Sequence, residues 1–170
     1  GQYQYHALRL DIQKRIYLSL LGFSDFSFGT GYIGGAVPFL LLDIPKADQS
    51  YLVTPDAYSL MRDLEFVSDQ YIKFDLKHRF QGFFINKIPL LKKTKIREVA
   101  GLKMYYGKLR KENNPIYNED LFAFPTNGEG EQSTFAFGNR PYLEASVGLE
   151  NIFKFLRVEY IRRLSYLDLP

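Results

Sequence analysis

The sequence contains no cysteine and no tryptophan, and it has only two histidines. Without cysteine the chain offers no disulfide, no thiolate nucleophile and no cysteine metal site. Its longest apolar runs, such as Ala36–Leu42, are too short for a transmembrane helix. The 22 basic and 19 acidic residues leave a net charge of only +3, so no general attraction to nucleic acid is implied.

Aromatic residues, in contrast, are abundant. Fifteen Phe and 13 Tyr make up 16% of the chain, a content typical of the aromatic girdles of membrane proteins. The 170 residues suit one domain. Because the chain begins at Gly1 without Met or a signal peptide, we expect it to be a processed or excised piece.

Apolar and polar residues alternate between Phe66 and Gly82. A period of two predicts a β-strand with one apolar and one polar face. The same layout occurs in six segments, each long enough to cross a bilayer at a tilt, which takes about 9–11 residues. The predicted strands lie near residues 5–18, 23–33, 65–81, 96–109, 141–150 and 155–166.

The connections between these strands alternate between short and long. Long loops are predicted at 33–63 and 110–140, and we expect 110–140 to be mobile and external. This order is typical of an outer-membrane barrel. The predicted fold is all-β: an antiparallel meander of six transmembrane strands, forming one partial-barrel domain over residues 1–170.

The two faces of the predicted sheet differ in chemistry. One face is charged and is predicted to line a lumen: Arg9, Asp11, Arg15, Asp25, Asp69, Lys73, Asp75, Lys77, Arg79, Lys103, Glu144, Glu150, Arg157, Glu159 and Arg163. The other face is apolar and is predicted to meet lipid: Leu10, Ile12, Phe26, Phe28, Ile72, Phe74, Leu76, Leu102, Met104, Ala145, Val147, Val158 and Tyr160. The charges could form a selectivity lining or a substrate path, or they could simply pair across neighbouring strands of a wet lumen.

Lys14 and Arg162 break the pattern, because they take the apolar-face parity. A cation there is tolerated near the membrane interface, where the side chain snorkels to the headgroups. An alternative is that Arg162 and Arg163 hold a lipopolysaccharide phosphate.

The link Phe83–Lys95 mixes apolar residues with four lysines, and Pro89 interrupts any strand. It is interpreted as an interfacial turn or short helix with its lysines near phosphate headgroups. Docking of a periplasmic partner is the alternative.

No catalytic, cofactor or metal site is predicted. The two histidines, His6 and His78, have no Ser or carboxylate at a spacing that suggests a triad. His78 falls on the apolar-face parity, where an interfacial role is expected. We therefore expect a protein that is not an enzyme and has no cofactor.

Several blocks resemble a family of Gram-negative outer-membrane proteins. They are FQGFFINKIPLLKK at Phe80–Lys93 with REV at Arg97–Val99, PYLEASVGLENIFKFLRVEYIRRLSYLD at Pro141–Asp168, GYIGGAVPFLLL at Gly31–Leu42, and EFVSDQYI at Glu65–Ile72. Members of that family carry an N-terminal carboxypeptidase-regulatory-like domain and a C-terminal barrel similar to BamA-like surface-antigen barrels. The chain resembles the C-terminal part of that barrel.

The resemblance implies an integral protein of the bacterial outer membrane, acting in assembly, insertion or translocation. It implies a barrel of sixteen strands, of which a strand after Asp168 is missing, and places the loop 33–63 where the superfamily has a lumen-entering loop. The implied partners are outer-membrane lipid and further strands of the same barrel or other subunits, and no nucleic acid. Alternatives are a passive outer-membrane pore and a soluble β-barrel that binds a small apolar ligand. We expect these residues alone not to form a closed barrel.

Overall fold

The computed structural model describes residues 4–48, 54 and 56–169. Residues 49–53 and 55, within the predicted loop 33–63, lie outside the described residues, as do residues 1–3 and 170. About 48% of the chain is in strands and almost none in helix. The predicted all-β class is therefore confirmed.

Six long strands form one antiparallel sheet in which chain neighbours are sheet neighbours. They are β1 (His6–Tyr17), β2 (Phe23–Gly34), β4 (Gln70–Phe80), β5 (Arg97–Lys108), β7 (Tyr142–Ile152) and β8 (Leu156–Arg163), in the order β1-β2-β4-β5-β7-β8. This confirms the predicted six-stranded antiparallel meander. The sheet is not closed into a barrel; β1 and β8 are its outer strands.

The predicted strand near 65–81 is divided, which corrects the sequence analysis. A two-residue strand β3 (Phe66–Val67) precedes β4 and pairs in parallel with β6 (Phe135–Ala136). The division falls at Ser68, which exchanges backbone hydrogen bonds with Asp43, and at Asp69, whose side chain is used elsewhere. The Asp69 backbone still makes hydrogen bonds to Ile33 and to Lys108 on either side.

The segment 110–140, which the sequence predicts to be a mobile external loop, has some internal structure. It contains β6, and Asn113, Thr134 and Phe137 are buried. The segments 33–67 and 109–141 meet through the β3–β6 pair and contribute an apolar cluster of Ile33, Val37, Leu42, Val67 and Phe124. Burial of this apolar surface stabilises the segments.

The strand ends differ from the prediction on both sides of the last hairpin. β7 continues to Ile152 because the register shifts between Leu149 and Ile152, where Asn151 has a positive φ of 63°. β8 ends at Arg163, since the Ser165 hydroxyl accepts a hydrogen bond from the Leu143 backbone.

The shorter connections contain brief helical turns. The link between β4 and β5 holds a 3₁₀ turn at Ile85–Lys87 and the helix α1 (Pro89–Lys92). Glu98 accepts hydrogen bonds from the backbones of Phe84 and Ile85, which fixes the start of this link. The connection between β1 and β2 contains a 3₁₀ turn at Ser19–Leu21.

The chain divides into two compact units, each of which is made of three segments of the sequence.

Unit 1 comprises residues 1–11, 29–73 and 105–142, and unit 2 comprises residues 12–28, 74–104 and 143–170. Unit 1 contains β3, β6 and the long connections, whereas unit 2 contains the short turns. No shift in composition marks these boundaries, since each one falls within or at the end of a long strand.

Candidate functional site: the charged face of the sheet

The side chains of the charged face in unit 2 form a chain of ion pairs across several strands. Arg15 on β1 binds Asp25 on β2 through two hydrogen bonds, of 2.6 and 3.0 Å. Asp25 also pairs with Arg79 on β4, whose Nε lies 3.4 Å from Glu150 on β7. Both carboxylates in this series of ion pairs, those of Asp25 and Glu150, therefore have a cationic partner.

A second set of pairs surrounds Glu159 on β8. Ser146 donates a hydrogen bond of 2.6 Å to Glu159, Arg157 pairs with the same carboxylate, and Lys77 Nζ lies 3.9 Å from it. Lys103 and Asp75 make a further pair at 3.5 Å.

The sequence analysis left open whether these charges line a path or pair with each other. In the structure the pairs just described neutralise most of them. Partly exposed pairs of this kind stabilise a protein by about 0–1 kcal/mol each, so they fix side-chain positions more than they add stability. The arrangement supports the pairing interpretation.

In unit 1 the same face of the sheet is covered by aromatic rings. Phe66 and Phe137 come from the long connections and stack with centroids 4.4 Å apart. Phe137 stacks on Tyr105 at 5.1 Å, and Tyr105 stacks on Tyr71 at 5.5 Å. The four rings form a continuous stack that we call the aromatic stack; Tyr58 packs edge-on against Tyr105.

Glycine makes room for this packing at Gly107 on β5. A Cβ at this position would lie 2.5 Å from the Phe137 ring and 2.7 Å from Ser68. A glycine in a strand lets the strand bend or another group approach its backbone closely. At Gly107 the approaching group is a ring from a connecting segment.

Asp43 anchors the first long connection to this face. Tyr105 donates a hydrogen bond of 2.6 Å to the Asp43 carboxylate, and Ser68 Oγ lies 2.9 Å from the same Tyr105 oxygen. Since the Tyr105 hydroxyl donates to Asp43, Ser68 donates to Tyr105. Burial raises the pKa of Asp43, an effect opposed by the Tyr105 hydrogen bond and by the charges of Arg9 and Lys73.

Asp69 is the centre of a second anchor. Its Oδ2 accepts hydrogen bonds from Arg110 Nε at 2.8 Å and from Asn113 Nδ2 at 2.8 Å. Arg110 also donates to the Ile33 carbonyl at 2.6 Å, and Asn113 Oδ1 accepts from the Val37 backbone at 2.8 Å. Asp69, one of the residues predicted to line a lumen, is fully buried under these contacts.

The sequence analysis missed Asp43, Arg110 and Asn113, because they lie in predicted loops. It also missed the aromatic stack, although one signal was present. Tyr71 and Tyr105 fall on the charged-face parity, and large rings on a polar face indicate that something apolar covers them.

The remaining charged-face residues occupy varied surroundings. Glu144 is buried and lies opposite Arg163 in the β7–β8 register, Arg163 donates to the Ser165 carbonyl, and Arg9 is exposed. Asp11 pairs with Lys73 at 2.8 Å.

The apolar face is the more exposed side of the sheet. Its exposed fractions reach 60% at Val147, 56% at Val158 and 67% at Tyr160. None of the residues predicted to meet lipid is buried. Lys14 and Arg162 are exposed as well, and Arg162 lies opposite Ala145, a residue of the apolar face.

Each histidine has an aromatic neighbour. His78 Nδ1 lies 2.8 Å from Ser24 Oγ, and its ring packs edge-on against Phe80. The His6 ring lies 5.9 Å from that of Tyr32. Among the described residues no group of three His, Asp or Glu side chains is arranged to hold a metal ion.

The described part of the chain contains no helix long and apolar enough to cross a membrane. Comparison with curated proteins and with solved structures gives no match. Residues 1–122, more than half of the chain, match the C-terminal domain of a family of unknown function, DUF5686. The chain belongs to this family.

Proposed function

We propose that this chain is a membrane-spanning part of a bacterial outer-membrane β-barrel protein, similar to BamA-like proteins, that acts in assembly, insertion or translocation and is not an enzyme. The observation that carries the proposal is the inverted distribution of its side chains. The apolar face of the sheet is exposed, whereas the charged face is ion-paired in unit 2 and covered in unit 1.

Exposure of the apolar face of the sheet would be unfavourable in water. A soluble protein buries its apolar strand faces and exposes its charges, and contiguous exposed apolar patches mark interaction or membrane surfaces. Val147, Val158 and Tyr160 lie on neighbouring strands, with Val147 directly opposite Tyr160. Contact with the hydrocarbon of a membrane satisfies such a surface, as in outer-membrane barrels.

The covering of the charged face favours an assembly or translocation role over a passive pore. In unit 1 the aromatic stack and the anchors at Asp43 and Asp69 hold the long connections against that face. A passive pore needs a water-filled lumen beside its charged face. The soluble alternative needs an enclosed apolar face, and the exposure of Val158 and Tyr160 does not favour it.

These 170 residues contain no cysteine, so a single introduced cysteine labels one position among them and tests the membrane part of the proposal. We would attach a spin label at Val147→Cys in the full-length protein, reconstituted in phospholipid vesicles, and use Ser146→Cys as the matched control on the same strand. The label at position 147 should be relaxed by oxygen, which is lipid-soluble, and the label at 146 by a water-soluble nickel chelate. Relaxation of the 147 label by the nickel chelate would refute the membrane-facing assignment.

The assembly role needs a separate experiment in the producing bacterium. Depletion of the protein should lower the amounts of other outer-membrane proteins or surface-bound material in a quantitative census of the membrane fraction. Unchanged amounts together with altered uptake of small solutes would support the passive pore instead.

A further inference from the structure

A groove of about 360 Å³ lies at the turn of the β7–β8 hairpin, within unit 2. Its walls include three cations, one carboxylate and two apolar side chains, namely Arg97, Lys154, Arg157, Glu150, Phe155 and Leu156.

The groove carries an excess of positive charge. Glu150 is already paired with Arg79, and Arg157 is paired with Glu159. Arg97 and Lys154 are exposed, and within residues 4–48, 54 and 56–169 neither makes an ion pair. Two cations without carboxylate partners on one groove attract an oxyanion, and arginine binds phosphate oxygens through its fork of N–H groups.

The rim of the groove is apolar. Phe155, which lines the groove, is 84% exposed, and Phe153, two residues earlier in the same turn, is 79% exposed. Leu156 begins the exposed apolar side of β8, which continues through Val158 and Tyr160. A ligand that satisfies both parts of this surface has an anionic end and a hydrocarbon end.

The hairpin holds these groups in a defined conformation. Asn151 donates a hydrogen bond of 2.7 Å to the Lys95 carbonyl, which ties the hairpin to the link between β4 and β5. The Lys154 backbone donates to the Asn151 carbonyl at 3.2 Å, and the Phe155 backbone donates to that of Ile152 at 3.3 Å.

We propose that this groove binds the phosphate of an anionic phospholipid headgroup through Arg97 and Lys154, with the acyl chains along Phe155 and Leu156, the two apolar side chains that line it. The inference rests on the proposed membrane location of β8. It adds a specific lipid site to that location, because general membrane contact requires no preference for one headgroup.

The test measures lipid preference at the hairpin. A fluorophore on Phe153→Cys in the full-length protein, held in a non-ionic detergent, would report quenching by brominated phosphatidylglycerol or by brominated phosphatidylcholine with the same chains. We expect phosphatidylglycerol to quench at lower concentration. The double variant Arg97→Gln/Lys154→Gln should weaken its binding by about thirtyfold, since a basic residue near a membrane surface contributes about fivefold.

The matched control is Lys46→Gln/Lys108→Gln, which removes two exposed cations from residues of unit 1. It should bind phosphatidylglycerol as the unaltered protein does. An equal loss of phosphatidylglycerol affinity in both double variants would show that only net charge matters and would overturn the proposal. Equal quenching by the two lipids in the unaltered protein would also overturn it.

Inorganic phosphate distinguishes the source of the oxyanion. Millimolar phosphate should displace phosphatidylglycerol only weakly, because it lacks the chains that contact Phe155 and Leu156. Displacement at the same concentration as the lipid would indicate a site for free phosphate and refute the lipid assignment. If the protein showed no headgroup preference while the label at position 147 was accessible to oxygen, this inference alone would be refuted. If the label at position 147 was accessible to the water-soluble chelate, the proposed function would be refuted.

Discussion

Lys73 Nζ lies 2.8 Å from Asp11 Oδ1, although β2 separates the two strands that carry these residues. The Lys73 side chain crosses β2 at Gly29. A Cβ at position 29 would lie 2.6 Å from Asp11 Oδ1 and would also overlap the Lys73 side chain. The pair therefore exists because the strand between its members carries no side chain at this position.

We predict that Gly29→Ala disrupts this pair and lowers the free energy of unfolding by about 1 kcal/mol, the upper range for an exposed ion pair. In a Lys73→Ala background the same substitution should have a smaller effect, because the crossing side chain is gone. A double-mutant cycle, measured by urea unfolding of the full-length protein in vesicles, checks this. Gly128→Ala is the control, since position 128 has open space around it; an equal loss at position 29 in both backgrounds would contradict the prediction.

Arg110→Met should cost about 3–5 kcal/mol in the free energy of unfolding, because it leaves the buried Asp69 carboxylate without its cation. Asp69→Asn/Arg110→Met should cost less than Arg110→Met alone. Lys111→Met, which removes the exposed neighbouring cation, is the control for loss of one positive charge. Similar urea midpoints for the Arg110 and Lys111 variants would show that the Asp69 anchor contributes little.

Phe137→Ala should lower the free energy of unfolding by about 3–5 kcal/mol, the usual range for loss of a buried phenylalanine. Its ring fills the space above Gly107 and stacks on both Phe66 and Tyr105. Phe122→Ala is the matched control, because that ring is 69% exposed and should change stability by less than about 0.5 kcal/mol. Comparable losses from the two substitutions, in the same urea experiment, would argue against the aromatic stack.

Asp43 should make stability depend on pH. Because burial raises its pKa in the folded protein, the folded state retains the proton after the unfolded state has released it. Its contribution to stability is therefore greatest at pH values below the unfolded pKa of about 3.9. Stability should decrease as the pH rises through the folded pKa and then stay constant.

Asp43→Asn should remove this component while keeping an oxygen that accepts the Tyr105 hydrogen bond. The check is the difference between the unfolding free energies of the two proteins across the acid range. A difference that does not change with pH would mean that Asp43 has its ordinary pKa in the folded protein.

Local sequence determined the strands and their two faces. Alternation along a segment such as Ile72–Phe80 depends only on neighbouring residues, because a strand directs successive side chains to opposite sides. The six-stranded antiparallel sheet could therefore be predicted from periodicity, together with the short links that make chain neighbours sheet neighbours. The exposed placement of Val147 and Tyr160 follows from the same alternation.

Only the tertiary structure decided what covers the charged face. Asp69 meets Arg110 across 41 positions of the chain, and Val37 meets Asn113 across 76. Such partners have no periodic signature, since their approach depends on how two irregular segments pack together. The sequence alone determined an all-β sheet with one charged and one apolar face, whereas the packing of the long connections turned part of the charged face into a buried aromatic and polar core.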